Sequence, residues 1–430
     1  MTRRTRPTRA LAAAALAIVL GVTGCSSNTP SATEATPTLE VVSWWTSGSE
    51  QQSLDVLFDQ YRAAHAGVDV ANATVAGGGG SNAQVVLAQR LISDDPPDAW
   101  QTFPGGALSA FVAQDQLRDV SSVYAADGLA AVVPKTILDG LTVDGHQYGV
   151  PTSSHRGNVL FFNRALLARA GVAVPGAGYT AAQLRSDLAT LDDAGITPLC
   201  LGAKDAFTTT ALFENTLLGV VGPDGWQRIT ADRFDWDGAQ AREALDQFGA
   251  ILDHADPEAA ALSWDAATKK LAAGGCAFES LNDSAYGELL KAGAVDGRDF
   301  GEVPYPGTDA SYVAVVDTFV SASRAANAKN AMDFLSVIGS ADTQVAFSRA
   351  KGSVPVRSDA DVSSLTPYQQ SAAQSLRTRT VLWSITHGEA TSPRFQQGFY
   401  DAVATYVRSR DADAFSKTLT DALAQQPPSK

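Results

Sequence analysis

A small set of residues stands out for its chemistry and its placement. Trp44, Trp45 and Glu50 follow a short alternating run, Gln101 and Phe103 end another, and Asp317 interrupts the apolar stretch 312–320. A carboxylate in such a stretch needs a partner or a task, because a buried unpaired charge is costly. Trp264, Asp283, Lys351, Trp383 and His387 extend the set. Flat indole faces suit the C–H faces of a sugar ring, while carboxylate, amide and ammonium groups suit its hydroxyls. Taken singly each residue has a plainer reading: tryptophans pack cores, Glu50 suits the first turn of a helix, and lysines sit in water.

Other chemistries find less support. The five histidines, His65, His146, His155, His254 and His387, show no pair at metal-ligand spacing. Asp253, Asp256 and Glu258 lack the alternating ligand loop that calcium needs and read as a solvated loop. The glycine run 77–80 is followed by no Gly-Lys-Ser/Thr, so it reads as a flexible loop and not a phosphate cradle. No metal and no cofactor is expected. Hydrolysis of a glycoside would need a dedicated pair of carboxyl groups, one with a raised pKa, and no such pair is evident.

The elements that must position these residues alternate through the first third of the chain. Strands are expected at 39–45, 68–75 and 98–103, with helices between them whose apolar residues, among them Leu54, Leu57, Phe58 and Tyr61, recur at helical spacing. Such βαβαβ order implies an α/β fold with a largely parallel sheet. Ligands of open α/β sheets bind beyond the carboxyl ends of strands, which is where Trp44, Trp45, Gln101 and Phe103 fall. Further helices are expected at 181–194, 239–253, 325–338 and 393–408, and short apolar segments at 149–162, 198–202 and 312–320.

The amino terminus carries an address. Arg3, Arg4, Arg6 and Arg9 precede a short apolar run that ends at Gly24-Cys25, the pattern of a bacterial lipoprotein leader. Residues 1–24 would be removed, Cys25 lipidated, and 25–38, rich in Ser, Thr and Pro, would form a disordered tether to the outer face of the cytoplasmic membrane. The formal charge is −14, and loss of the four leader arginines makes it −18. Such a body repels nucleic acid and anionic lipid. An oxidising exterior permits a disulfide between Cys200 and Cys276, the alternative being two buried thiols.

The chain resembles the extracytoplasmic solute-binding proteins of ABC-type sugar importers, most closely their glucose-binding branch. The resemblance rests on Ser43-Trp44-Trp45 with Glu50, Asn72-Ala73-Thr74-Val75, Asp95-Pro96-Pro97-Asp98 with Gln101, His155-Arg156 with Asn158, Leu262-Ser263-Trp264, Asp317-Thr318-Phe319, Lys351-Gly352-Ser353 and His387-Gly388. It implies a two-lobed clamshell, monomeric and not an enzyme, with 39–151 plus 317–351 as lobe 1 and 152–316 plus 352–430 as lobe 2. The chain would cross between lobes near Val150, near Val313 and just after Lys351, and the lobes would close over a small carbohydrate by a hinge motion before delivery to permease subunits. Trp44, Trp45 and Trp264 would give aromatic surfaces, Glu50 and Asp317 would accept sugar hydroxyls, and Gln101, Lys351 and His387 would complete the polar contacts, with Asp283 as a further candidate. His155, Arg156 and Asn158 would either brace the hinge or touch the ligand. One departure bears on specificity: the branch tends to carry a polar or basic donor where this chain has Phe103, so glucose, another monosaccharide and a disaccharide all stay open. A sensory or adhesive lipoprotein using the same clamshell is the alternative function.

Overall fold

A computed structural model describes residues 38–46, 48–77 and 80–424. The leader, Cys25 and the tether up to Pro37 lie outside the described residues, as do Gly78 and Gly79 of the glycine run.

The first three strands pair as their order implies. β1 (Thr38–Val42) lies between β2 (Asp69–Asn72) and β3 (Ala99–Thr102), parallel to both. The helix Gly48–Ala64 returns across them and buries Leu54, Leu57, Phe58 and Tyr61. β1 stops at Val42, short of the expected Trp45. Ser43 explains the stop: its hydroxyl donates to Gln101 Oε1 at 2.8 Å and accepts the Trp45 N–H at 3.2 Å, a local turn that competes with strand pairing.

β4 (Thr142–Val143) and β5 (His146–Gln147) form a small hairpin, and β6 (Val150–Arg156) leads directly into β7 (Val159–Asn163). β8 (Phe278–Leu281) and β9 (Phe300–Pro304) flank β7, both antiparallel to it, in a three-stranded sheet. β10 (Ser311–Ser321) and β11 (Thr380–Trp383) complete a six-stranded sheet of order β11-β10-β3-β1-β2, with β6 also on β10. β10 is parallel to β11 but antiparallel to β3 and β6, so this sheet is mixed.

Of the expected helices, Ala181–Asp193, Ala239–Leu252, Ala328–Gly339 and Pro393–Ser409 form. Segment 198–202 makes only isolated bridges, Leu199 to Ala255 and to Phe278. Cys200 and Cys276 are joined in a disulfide with Cα atoms 5.5 Å apart, which pins that segment beside β8.

The helix Ser284–Lys291 meets the end of the helix Ala341–Lys351 backbone to backbone. A methyl group on Gly287 would stand 2.3 Å from the Lys351 carbonyl oxygen, and one on Gly352, whose φ is +90°, would stand 2.5 Å from the Gly287 nitrogen. Only glycine permits this approach.

Candidate functional site

β6 and β10 make the floor of a pocket lined by Trp44, Glu50, His155, Trp264, Asp317 and Lys351 among others. Val315 faces His155 and Asp317 faces Ser153 in the ladder, and the register then shifts, leaving Thr152 without an opposite residue. This bulge lets Thr152 Oγ donate to the Asp317 carbonyl at 3.1 Å while Ser153 Oγ donates to Asp317 Oδ2 at 2.9 Å. Asp317 thus stands on a long buried strand with its carboxylate held from the neighbouring strand.

The pocket's charges are arranged in pairs. His155, only 2% exposed, bonds Asp283 through Nδ1 and Asp317 Oδ2 through Nε2, the latter at 3.1 Å. Burial alone would lower the imidazole pKa, but Asp317 and then Asp283 outweigh it and raise it to about 9. Burial also pushes the Asp317 carboxyl up, yet the charges of His155 and Lys351 hold it below the usual carboxylate range. Lys351 Nζ donates to Glu50 Oε1 at 2.6 Å and lies 4.2 Å from the centre of the Trp45 ring. Burial nevertheless raises the Glu50 carboxyl, its lysine partner compensating only in part.

Glu50 is placed by the start of its helix. The Ser49 N–H and hydroxyl both donate to Glu288 Oε1, the hydroxyl at 2.8 Å, and Lys291 Nζ donates to the Gly48 carbonyl at 2.8 Å. The helix Ser284–Lys291 therefore holds the amino end of the helix that carries Glu50.

Aromatic rings close the other walls. Trp44 packs on Phe103 with ring centres 5.3 Å apart, and His387 contacts both Phe103 at 5.4 Å and Phe207 at 5.9 Å. Trp45 rests on Phe319 and Phe347. Trp264 opens the helix Trp264–Ala272 and donates its backbone N–H to Asp205 Oδ2 at 2.9 Å. Burial first, then the charge of His155, hold the His387 imidazole down to about 3, so it is neutral. Glu214, on the helix Ala206–Thr230, shapes the loop beneath it by accepting the Ile385 N–H at 2.8 Å and the Ser384 hydroxyl at 3.0 Å. Ser384 Oγ in turn lies 2.9 Å from His387 Nδ1.

The structure brings Trp44, Trp45, Glu50, Phe103, His155, Trp264, Asp317, Lys351 and His387 to one pocket. Gln101, Asp283, Arg156, Asn158 and Trp383 do not line it. Gln101 is buried under Ser43, its amide nitrogen without a partner among the described residues. Asp283, fully buried behind His155, also accepts the Arg156 N–H at 3.1 Å and the Tyr368 hydroxyl at 3.3 Å, so it orients the imidazole from behind. Asn158 ties the turn between β6 and β7 to the start of β10, donating to Thr308 Oγ at 2.9 Å and the Ser311 carbonyl at 3.2 Å and accepting the Val313 N–H at 3.1 Å. The Trp383 carbonyl accepts the Trp226 indole N–H at 3.1 Å, away from the pocket.

Phe207, Asn282, Ser284 and Val315 also line the pocket and were not anticipated. Asn282 and Ser284 directly follow β8, so the same end-of-strand rule would have found them had β8 been recognised. Among the described residues no cluster of His, Cys, Asp and Glu could hold a metal ion, and the acids Asp256 and Glu258 are both paired with Lys270. No helix among them is long and apolar enough to cross a membrane.

Residues 45–345 match the family described as bacterial extracellular solute-binding protein. An uncharacterized ABC transporter extracellular-binding protein of Pyrococcus horikoshii is 28% identical over 417 residues, 95% of this chain and 94% of the relative. A probable sugar-binding periplasmic protein of Rhizobium meliloti is 29% identical over 379 residues, 86% of this chain and 90% of the relative. The bacterial solute receptor AcbH shares the two-lobed α/β fold with a TM-score of 0.78 at 17% identity, over 91% of this chain and 98% of that one. Because the family match runs from the loop that carries Trp45, through β2 to β10 and into the helix that ends at Lys351, the chain belongs to the bacterial extracellular solute-binding proteins, which are receptors and not enzymes.

Proposed function

We propose that the chain captures a small neutral carbohydrate outside the cell and hands it to an ABC importer. The observation that carries this reading is the pocket itself: aromatic faces stand beside carboxylates already paired with Lys351 and His155, a lining that offers acceptors to sugar hydroxyls while its charges balance one another. The Rhizobium meliloti relative described as probably sugar-binding supports it.

In this reading lobe 1 is 39–151 with 317–351 and lobe 2 is 152–316 with 352–430. Its support is that β10 pairs β11 through residues 311–314 and β3 through 318–321, and that the pocket takes Trp44, Glu50 and Lys351 from one side and His155, Trp264 and His387 from the other. Asp317 and Glu50 accept hydroxyls, the tryptophans stack, and Lys351 and His387 complete the contacts, while Asp283 and Asn158 position His155 and the crossing segments. Glucose is the first ligand to test, with Phe103 the residue that decides between it and a related mono- or disaccharide.

The test is a thermal-shift screen of the purified protein with glucose, galactose, mannose, xylose, disaccharides, polyols and sugar acids, hits being measured by calorimetry. A ligand at one hundred times its Kd stabilises the fold by about 2.7 kcal/mol. A shift with one neutral sugar is expected; no shift with any would overturn the reading and favour a sensor or adhesin for a different solute. We also place the protein on the membrane through lipidated Cys25. Cys25→Ser should release it from the membrane fraction, and retention of that variant would refute the anchor.

A further inference from the structure

Arg156 follows His155 on β6 and points the other way, since neighbours on a strand face opposite sides of a sheet. It lines a second cleft, bordered by β7, β9 and the helix Pro367–Thr378. Arg156 is only 7% exposed, and its guanidinium makes one long hydrogen bond, from Nε to Asn158 Oδ1 at 3.4 Å. Its two terminal nitrogens have no hydrogen-bond or ion-pair partner among the described residues. Arg379, at the end of the bordering helix, lines the same cleft and also has no ion pair among them.

Two unpaired guanidiniums in one cleft are unexpected in a chain of formal charge −14. A buried arginine without a counter-charge costs stability, and an arginine fork matches oxyanions geometrically. The acids that line the cleft, Glu302 and Asp309, make no ion pair with Arg156 or Arg379 among the described residues. Burial, and then Asp296, with which it shares a hydrogen bond, raise the Glu302 carboxyl above the usual carboxylate range. Asp309 is the remaining carboxylate and sits exposed on the rim, while Ser371 and Ser375 add hydroxyls.

We propose that this cleft is a second ligand site, taking a small oxyanion such as phosphate, sulfate or a carboxylate on the forks of Arg156 and Arg379. It lies where the chain passes between the two sheets, at Gly157–Asn158 and at 305–310, so an occupant would brace that junction from behind. The inference does not depend on the identity of the solute in the front pocket.

Calorimetric titration of the purified full chain in non-ionic detergent with sodium phosphate, sulfate and succinate, at constant ionic strength in chloride, tests it. Saturable binding of at least one anion is expected, and which one responds identifies the class. Arg156→Lys, which keeps the charge and loses the fork, should weaken binding by about tenfold or more. Arg379→Gln, at an exposed position, should do the same while keeping the native melting temperature in chloride. No saturable binding of any of the three anions, or unchanged affinity in both variants, would overturn the proposal.

Discussion

His155 and Arg156 are neighbours on one strand with opposite electrostatic fates. His155 is clasped between Asp283 and Asp317, and every charge in the front pocket has a counter-charge at hydrogen-bond distance. Arg156 faces the rear cleft with its terminal nitrogens unpaired among the described residues. The difference shows what each side is built to receive. A pocket whose charges are mutually satisfied can offer fixed acceptors and donors to a neutral molecule without a net field that demands an ion. A cleft with surplus positive charge and no internal partner invites an anion to complete it.

The strongest way to break this contrast is at Asp317. Asp317→Ala should abolish sugar binding, a loss of about 3 kcal/mol or more, roughly a hundredfold in Kd, while any anion response at the rear persists. Unchanged sugar affinity by calorimetry would remove Asp317 from the site.

The second test uses pH. His155 has a folded pKa of about 9, above its unfolded value of 6.5. Protonation therefore favours the folded state: the contribution is complete below about pH 6.5 and is lost as pH rises through 9, amounting to at most about 3 kcal/mol. Melting temperature should fall across that window in the native protein and fall less in His155→Gln. Arg156→Gln should leave the profile unchanged, because an arginine does not titrate there; a flattened profile in that variant would blur the two faces.

A smaller effect is expected at Phe103, which touches both Trp44 and His387. Phe103→Asn should shift preference among sugars by about 1–3 kcal/mol, read as a change in the ratio of two Kd values and not as loss of all binding. Smallest of all, Arg90 makes a two-pronged pair with Glu40 at 2.7 Å, remote from the lining of both sites. Arg90→Ala should cost about 1 kcal/mol or less in urea unfolding and alter neither binding site.

Much of this was legible in the sequence, for reasons that differ by region. The helix Gly48–Ala64 announced itself through four buried residues at helical spacing, and three parallel strands followed from βαβαβ order. Trp44, Trp45 and Phe103 were found because strand ends are where such folds place ligands, whereas Trp264, Lys351 and His387 came through the family resemblance. The pairings that make the pocket work were not legible. His155 meets Asp283 and Asp317 across separations of 128 and 162 residues, and no local pattern marks such contacts. β8 is four residues long and carries a buried Glu279, so neither length nor alternation exposed it, and Asn282 and Ser284 were missed with it. Phe207 lies on a helix whose periodicity is interrupted at Gly222 and Pro223. The pairing of β10 with β3, antiparallel and from far along the chain, is what makes the sheet mixed, and no local pattern marks it.

The contact between Gly287 and Gly352 bears on how this chain tolerates drift. Neither residue lines the pocket, yet a single added carbon at either would push apart the helix that ends at Lys351 and the helix that steadies Glu50. In a library of random substitutions selected for solute capture, positions 287 and 352 should be depleted as deeply as position 317. Intolerance to mutation would then mark the joints that hold the recognition surface in place as strongly as the surface itself.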